Sequence, residues 1–483
     1  MPNLIFKICH FFNHVYKALL LTASVLIDLV RVFIRLRAYW AAIRGLRDFI
    51  SDYPFDEIAL KALKGRDAVY PFGEVTSYGS AVLGSGIYEG RGYPRFRTLD
   101  DSLILLPPAF TPRRLEKMVE LLREPTFMDV NLEGELGGFK VSMPIVVGSM
   151  GSTSIASRFS LDIARAAAKA GIVFGIGENV ATVRGYSRRY TRGHPSFKER
   201  VMAYLTNVNK YGGVIIQQNV EDAYDELWNK VYSDRDLEPY IEEGLVGFEI
   251  KMGQGAKPGL GGVIKIPKEE AIRLKAKYHF EVDPEKVKDK FITRYSVPGT
   301  YTEDILRGMI RFMRTAYPRA RIWIKLGPYR DVDRVISIAH EEGAHAVVID
   351  GKEGGTGMAP SAALKHLGYP TIVGLKKIRD ARKLGIKDLS LLIAGRLYNG
   401  SHVVKAVALG ASGVYMARPF LIAAMVKGEK GVANYIEAVK EETQMLVSAL
   451  GKYDINELSD EDMAALDKDV AKMLGIQYVY GDI

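Results

Sequence analysis

The stretch EIKMGQGAKPGLGG, residues 249–262, decides the reading of the fold. It opens as a strand, because residues 246–251 are apolar with few breaks. It then gives way to glycines at 253, 255, 259, 261 and 262. Glycine has no Cβ, so such a run turns tightly and lets the backbone approach a ligand. The strand end carries Lys251, and the loop carries Gln254 and Lys257. A glycine-rich loop with two solvated lysines is the plain alternative for this stretch.

Working outward, short apolar strands recur. Short apolar runs stand at PIVVGSM (144–150), GIVFGIG (171–177), GVIIQQ (213–218) and LVGFEIKM (245–252). Others follow at RIWIKLG (321–327), AVVIDG (346–351), LLIAG (391–395) and GVYMA (413–417). Helical patterns such as SIASRFSLDIARAAAKA (154–170) separate most of them. Eight strands alternating with helices predict an α/β fold, a (β/α)8 TIM barrel. The barrel is expected over residues 141–428, after an N-terminal segment (1–50) and a cap segment (51–140). Charged helices are expected over 429–483. Within the cap, residues 71–90 read as a loop layer over the barrel mouth. Thr111-Pro112 reads as a helix start, with Thr as N-cap and Pro at the first position.

Composition narrows the function. A single cysteine, Cys9, excludes an internal disulfide and a self-ligated iron–sulfur cluster. Nothing in that usage points to an oxidising compartment, so a cytoplasmic location is expected. The net charge of +9 is partly concentrated in residues 1–50 and in the run 184–192. No nucleic-acid-binding motif accompanies it, so an anionic small molecule or membrane surface is the better reading. Residues 18–30, ALLLTASVLIDLV, are too short and too interrupted to span a bilayer. With Arg31, Arg35 and Arg37 beside them they suit an amphipathic helix on a membrane surface. Packing on protein is the alternative.

In a barrel of this kind, chemistry collects where the strands end. Ser149 and Met150, followed by Gly151, would sit beside a ring system. Glu178 follows the second strand, and Gln217 ends the third. Lys251 ends the fourth, with Gln254 and Lys257 just beyond, and the fifth carries Lys325. The turns Gly395-Arg396 and Ala417-Arg418 fall where this fold commonly binds phosphate, and Gly354-Gly355-Thr356-Gly357 can close a third side. The alternative for each turn is a tight βα connection and nothing more.

These motifs closely resemble the FMN domain of glutamate synthase. Besides EIKMGQGAKPGLGG, the resemblance rests on GSMGSTS, Gly177-Glu178, WIKLG, EGGTGMAP followed by KHLG, and AGRLYNG. It runs from about residue 144 to 425. The chain is also similar to shorter single-chain archaeal and bacterial FMN-binding glutamate synthase family proteins, which likewise begin with a hydrophobic segment. The resemblance implies FMN as cofactor, its phosphate held by Gly354 to Gly357, Gly395, Arg396, Ala417 and Arg418. Ser149, Met150, Gln217 and Lys325 would contact the ring. Lys251 and Lys257 would be catalytic and, with Glu178 and Gln254, would bind substrate. A cation near N1 and O2 of the flavin stabilises the reduced form, a role that suits Lys325.

The departures from that family are specific. No cysteine cluster follows the eighth strand, and nothing before residue 144 is long enough for a glutaminase domain. Leu260 and Val263 stand where an acidic and a polar residue are usual. The usual HHDIYS stretch is VPGTYTEDI (297–305), and Asn179-Val180 replace two glycines. The expected activity is therefore FMN-dependent reduction of 2-iminoglutarate, from 2-oxoglutarate and ammonia, or of a related anionic imine or carbonyl. Electrons would come from an external donor such as a ferredoxin or reductase subunit, and ammonia from solution or a partner. The same fold acting on a methylated amino acid or lipid precursor is one alternative. A non-catalytic FMN electron-transfer or docking subunit at a membrane is the other.

Overall fold

The computed structural model describes residues 55–65, 99–255, 257–354, 363 and 366–481. Residues 1–50 with their expected membrane or partner contact, the loop at 71–90, and Gly355, Thr356 and Gly357 lie outside the described residues.

The eight predicted strands form. They are β1 (Ile145–Met150), β2 (Val173–Ile176), β3 (Val214–Gln218), β4 (Val246–Lys251), β5 (Arg321–Leu326), β6 (Ala346–Asp350), β7 (Ser390–Ala394) and β8 (Gly413–Met416). All pair in parallel, and they close into a barrel in the order β5-β6-β7-β8-β1-β2-β3-β4. Every residue of β2, β6 and β8 is buried. A strand covered on both faces reads as a continuous apolar run, which is why these segments stood out.

One end of the barrel is plugged. A hairpin of Gly134–Leu136 and Phe139–Val141 packs Leu136, Phe139 and Val141 against Val146, Val173, Ile215 and Trp323. The indole Nε1 of Trp323 donates to the Gly137 carbonyl at 3.0 Å. This hairpin meets the starts of the strands, since Lys140 accepts from Gly212 just before β3. Ligands are left the opposite end, where the strands finish.

Between β4 and β5 lies an insertion that the sequence reading passed over. Strands Val263–Pro267, His279–Phe280 and Phe291–Tyr295 form a three-stranded antiparallel sheet. With the helix Lys268–Leu274 it buries Ile266, Ala271, Leu274, Tyr278 and Ile292 against Val183 of the β2 loop. Two glycines of the opening stretch serve this arrangement. A Cβ on Gly261 would fall 1.5 Å from the Ser296 carbonyl, and one on Gly255 would fall 1.9 Å from the Gly351 carbonyl. These glycines let backbone meet backbone, and not only ligand as the sequence suggested.

The helix Pro112–Leu121 begins with Pro at its first turn, as expected, but Thr111 makes no side-chain capping bond. The helical run Arg418–Ala449 leaves helical geometry at Lys427 and Gly428, the latter at φ +57°. It packs on the helix Phe55–Lys64, where Lys61 and Glu442 pair at 2.6 Å. The C-terminal segment is not only helical. Its strand Met463–Ala465 pairs antiparallel with Leu103–Leu105. Among the described residues no helix is long and apolar enough to cross a membrane.

Candidate functional site

Glu249 organises the floor of the open end. It is fully buried in β4, and Gln217 Nε2 of β3 donates to its Oε1 at 2.5 Å. Ser149 Oγ of β1 and Tyr415 OH of β8 reach the same oxygen at 3.2 Å each, and they also bond one another. Burial raises the Glu249 carboxyl, opposed by Lys325 and Lys251. Burial and the Glu249 charge together push the Tyr415 phenol well above its ordinary value. A carboxylate with three neutral donors and two cations nearby is a satisfied buried charge. Ser149 and Gln217, expected to face a ring, thus turn their side chains into this network.

Above the floor, Lys251 is held at a fixed place. Its Nζ donates to Gln254 Oε1 at 2.9 Å, and to Gln217 Oε1 and Glu178 Oε2 at 3.2 Å each. Glu178 is raised by burial, but Lys251 and Lys257 outweigh that and leave it below the usual carboxylate range. Of the residues expected to bind substrate, Glu178 and Gln254 therefore both contact Lys251. Lys257 is different. It is buried, yet its ammonium makes no hydrogen bond or ion pair to any described residue. Burial lowers it to about 8, with Glu178 and Glu221 opposing and Lys251 and Arg294 adding to the shift.

Lys325 lies on the other side of the floor. Its Nζ is 4.2 Å from the centre of the Tyr415 ring and 4.0 Å from Asp350 Oδ2. Asp350 also accepts from the Gly255 N–H at 2.9 Å, and burial raises it against the pull of Lys325. Gly354 closes over this carboxyl, for a Cβ there would lie 2.0 Å from Asp350 Oδ1.

Sequence reasoning missed the roof. Arg294, on the insertion strand Phe291–Tyr295, is 4% exposed and its guanidinium lies 4.3 Å over the Tyr278 ring. It hydrogen-bonds to no described residue, and its Nε is fully enclosed. Glu221, after β3, takes the Val297 N–H on Oε1 at 3.0 Å, while its buried Oε2 has no partner among the described residues. Asp222 is pushed up to about 7 by burial, aided by Glu178 and Glu221, and opposed by the Asn179 N–H that it accepts at 2.7 Å. Asn179 holds a left-handed φ of +65° and accepts from Tyr278 OH at 2.6 Å. Tyr301 OH, from the stretch replacing HHDIYS, donates to the Lys251 carbonyl at 2.9 Å. Ile292 and Arg294 share the buried face of their strand, a placement that only the tertiary fold reveals.

The turns after β7 and β8 form a cradle for an anion. Gly395 has φ +128° and Arg396 a left-handed +52°, and the Arg396 side chain hydrogen-bonds to no described residue. Ala417 is the N-cap of Arg418–Ala449, whose first N–H groups have no helical acceptor. Arg418 Nη2 fixes the β6 loop by donating to the Glu353 carbonyl at 2.7 Å. Orphan N–H groups at a helix start, beside a left-handed turn and two guanidiniums, fit a phosphate well. The donor set thus suits a phosphorylated cofactor, with Met150 at the end of β1 and Lys325 inside the same mouth.

The basic run 184–192 does not make one patch. Arg184 is buried and donates to the Ser152 carbonyl at 2.7 Å, whereas Arg189 pairs with Glu199. Arg200, also buried, holds the Gly151 carbonyl at 3.1 Å. Arginines thus brace the loop after β1 from behind. Among the described residues no group of three or more His, Cys, Asp or Glu side chains could hold a metal.

Comparison with known proteins agrees with the fold. The family described as the conserved region in glutamate synthase matches residues 113–427. An archaeal-type glutamate synthase (NADPH) of Thermotoga sp. (strain RQ2) is 28% identical over 299 residues, covering 59% of this chain and 48% of the relative. The archaeal glutamate synthase (NADPH) of Archaeoglobus fulgidus is 26% identical over 325 residues, covering 64% and 54%. The chain thus spans about half the length of these curated relatives. Among solved structures, the flavin-binding domain of baker's yeast flavocytochrome b2 shares the fold at a TM-score of 0.50 and 20% identity, over 77% of each chain. Because the family match takes in well over half of the sequence and all eight barrel strands but the cradle's last helix only in part, the chain belongs to the glutamate synthase family.

Proposed function

We propose that this protein is an FMN-dependent oxidoreductase that reduces the C=N or C=O group of a small anionic substrate. The reference case is 2-iminoglutarate, formed from 2-oxoglutarate and ammonia. The observation that carries the proposal is the convergence of Lys251, Lys257 and Arg294 at the open end of a barrel that also holds a phosphate cradle after β7 and β8.

Arg396, Arg418 and the N–H groups at Ala417 would hold the phosphate of FMN, and Lys325 would face its ring. When bound, FMN supplies a hydride to the substrate carbon. Lys257 and Arg294, enclosed and without a hydrogen-bond partner among the described residues, bind the substrate carboxylate; a desolvated charge gains most from such a bond. Lys251, fixed by Glu178, Gln217 and Gln254, orients the reacting carbon. The insertion roof excludes water through the buried Tyr278. Electrons come from an outside donor.

A second reading keeps the chemistry and changes the substrate. Leu260 and Val263 are exposed apolar side chains on the loop and strand leading into the roof. They favour a substrate with an apolar group where 2-oxoglutarate carries its second carboxylate. The test is anaerobic reduction of the holoprotein followed by mixing. Return of the oxidised flavin spectrum with 2-oxoglutarate plus ammonium, and not with either alone, is expected. Reoxidation only by an apolar 2-oxo acid plus ammonium would support the second reading, and no reoxidation by any anionic imine or carbonyl would overturn both.

A further inference from the structure

Gln217 and Glu249 are register partners on the neighbouring strands β3 and β4, and Lys251 follows Glu249 by two residues on the same inward face. The Gln217 amide lies between the carboxylate and the ammonium. Its Nε2 donates to Glu249 Oε1 at 2.5 Å, and its Oε1 accepts from Lys251 Nζ at 3.2 Å. Tyr415 OH and Ser149 Oγ add donors on the far side of the carboxylate. A carboxylate only accepts and an ammonium only donates, so the amide has a single usable orientation. Turned over, it would set its N–H groups against Lys251 and its oxygen against Glu249.

Lys251 has three donors, and three acceptors take them: Gln217 Oε1, Gln254 Oε1 and Glu178 Oε2. What Lys251 offers a substrate is therefore a charge at a fixed place. Of these acceptors only Gln217 stands on a barrel strand, while Gln254 and Glu178 stand on loops. The strand-borne anchor is the one whose orientation Glu249 sets. A glutamine at position 249 would fill the same space without burying a charge, which is costly. It could not fix its neighbour, because an amide donates as readily as it accepts.

We propose that Glu249 is a positioning residue for the reduction: it locks the Gln217 amide with its oxygen toward Lys251, and so holds the Lys251 charge where the substrate meets the flavin. This rests on the FMN oxidoreductase reading. Glu249 is 0% exposed, so it touches neither substrate nor flavin and acts only through its neighbours.

The test reads the amide and the chemistry separately, on the full-length protein. The chain has five glutamines, so selective nitrogen-15 labelling of glutamine resolves their side-chain amides by NMR, and the pair lost in Gln217→Met is that of Gln217. In wild type one of its N–H protons should be shifted downfield by the charged acceptor and exchange slowly with solvent. Glu249→Gln should abolish that shift. In the FMN-loaded, anaerobically reduced protein the same variant should slow reoxidation by 2-oxoglutarate plus ammonium about 10- to 100-fold, the scale of a misplaced group, with flavin content retained. Combining Gln217→Glu with Glu249→Gln reverses the bridge, keeps an acceptor toward Lys251 and the same net charge, and should recover most of the lost rate. Glu249→Asp, which withdraws the carboxylate by one methylene, should diminish shift and rate together; it decides the matter if Glu249→Gln does not fold. A Gln217 amide unmoved by Glu249→Gln overturns the proposal. So does wild-type reoxidation in that variant, or a combined variant that stays as slow as Glu249→Gln. Failure of wild type to bind FMN or to be reoxidised overturns the proposed function and the role of Glu249 in reduction, while the amide shift still decides the lock.

Discussion

Lys251 and Lys325 are register partners on the neighbouring strands β4 and β5, yet their ammonium groups part. Lys251 turns to Glu178, Gln217 and Gln254. Lys325 turns to the Tyr415 ring and Asp350. Two like charges at adjacent inward positions repel strongly in a poorly solvated interior. Each here has its own carboxylate, and Glu249 lies below both. Under the proposed function, the divergence would separate a cation for the substrate from a cation for the cofactor.

That separation predicts different phenotypes. Lys325→Met should lower the flavin reduction potential by a few tens of millivolts, the scale of one charge at close range in a protein interior. Asp350→Asn should raise it. Reductive titration against a reference dye reads both. A potential unchanged in both variants would mean that Lys325 is a core lysine only.

Lys257 sets a pH limit. Burial lowers its ammonium to about 8, below the ordinary lysine value. It is charged below that pH and neutral above it, so affinity for an anionic substrate should fall as pH rises through about 8. A bound anion favours the charged form, so binding above that pH should take up a proton. Lys257→Arg, which stays charged, should remove the limb. Lys257→Ala should keep the flavin and lose about one to two decades of affinity, the cost of a charge-assisted bond. Affinity that is flat from pH 7 to 10 in the wild type would exclude Lys257 from the clamp.

Gly261 carries the roof. Its Cα abuts the Ser296 carbonyl, so Gly261→Ala must displace backbone. The expected destabilisation is about 1–3 kcal/mol, as for overpacking elsewhere. Hydrogen exchange should show it in the strands Val263–Pro267 and Phe291–Tyr295, with flavin content retained. Loss of flavin with an undisturbed roof would contradict this division of the molecule.

The barrel was legible because each strand is a short apolar run, a pattern that burial on both faces imposes. Lys251, Glu178 and Gln254 were legible for the same reason, since strand ends locate them. Glu249 could have been found: it shares the inward face with Lys251 at a spacing of two, and an acid there needs partners. Arg294 was hidden because FITRY reads as an ordinary edge strand, and only the tertiary position of the insertion encloses its guanidinium. Glu221 reads as a first-turn acid of the helix Val220–Tyr224, where it would normally face solvent. Its burial depends on Val297, distant in sequence. Thr111 sits in a sequence that caps well, yet its side chain makes no capping bond.

The cradle after β7 and β8 predicts which variants lose cofactor. Arg418→Ala removes a guanidinium and frees the β6 loop from its tie at Glu353. Flavin affinity should fall by about one to two decades. Equilibrium dialysis of released flavin measures it. Lys257→Ala, in the same assay, should bind flavin like wild type.

The most direct measurement is of the cofactor itself. Purified full-length protein, denatured by acid, should release one FMN per chain, with no covalent flavin left on the polypeptide. Release of FAD, or no flavin bound even after reconstitution with FMN, would contradict the account at its centre, because the three turns at Gly354, Gly395 and Ala417 would then hold something else.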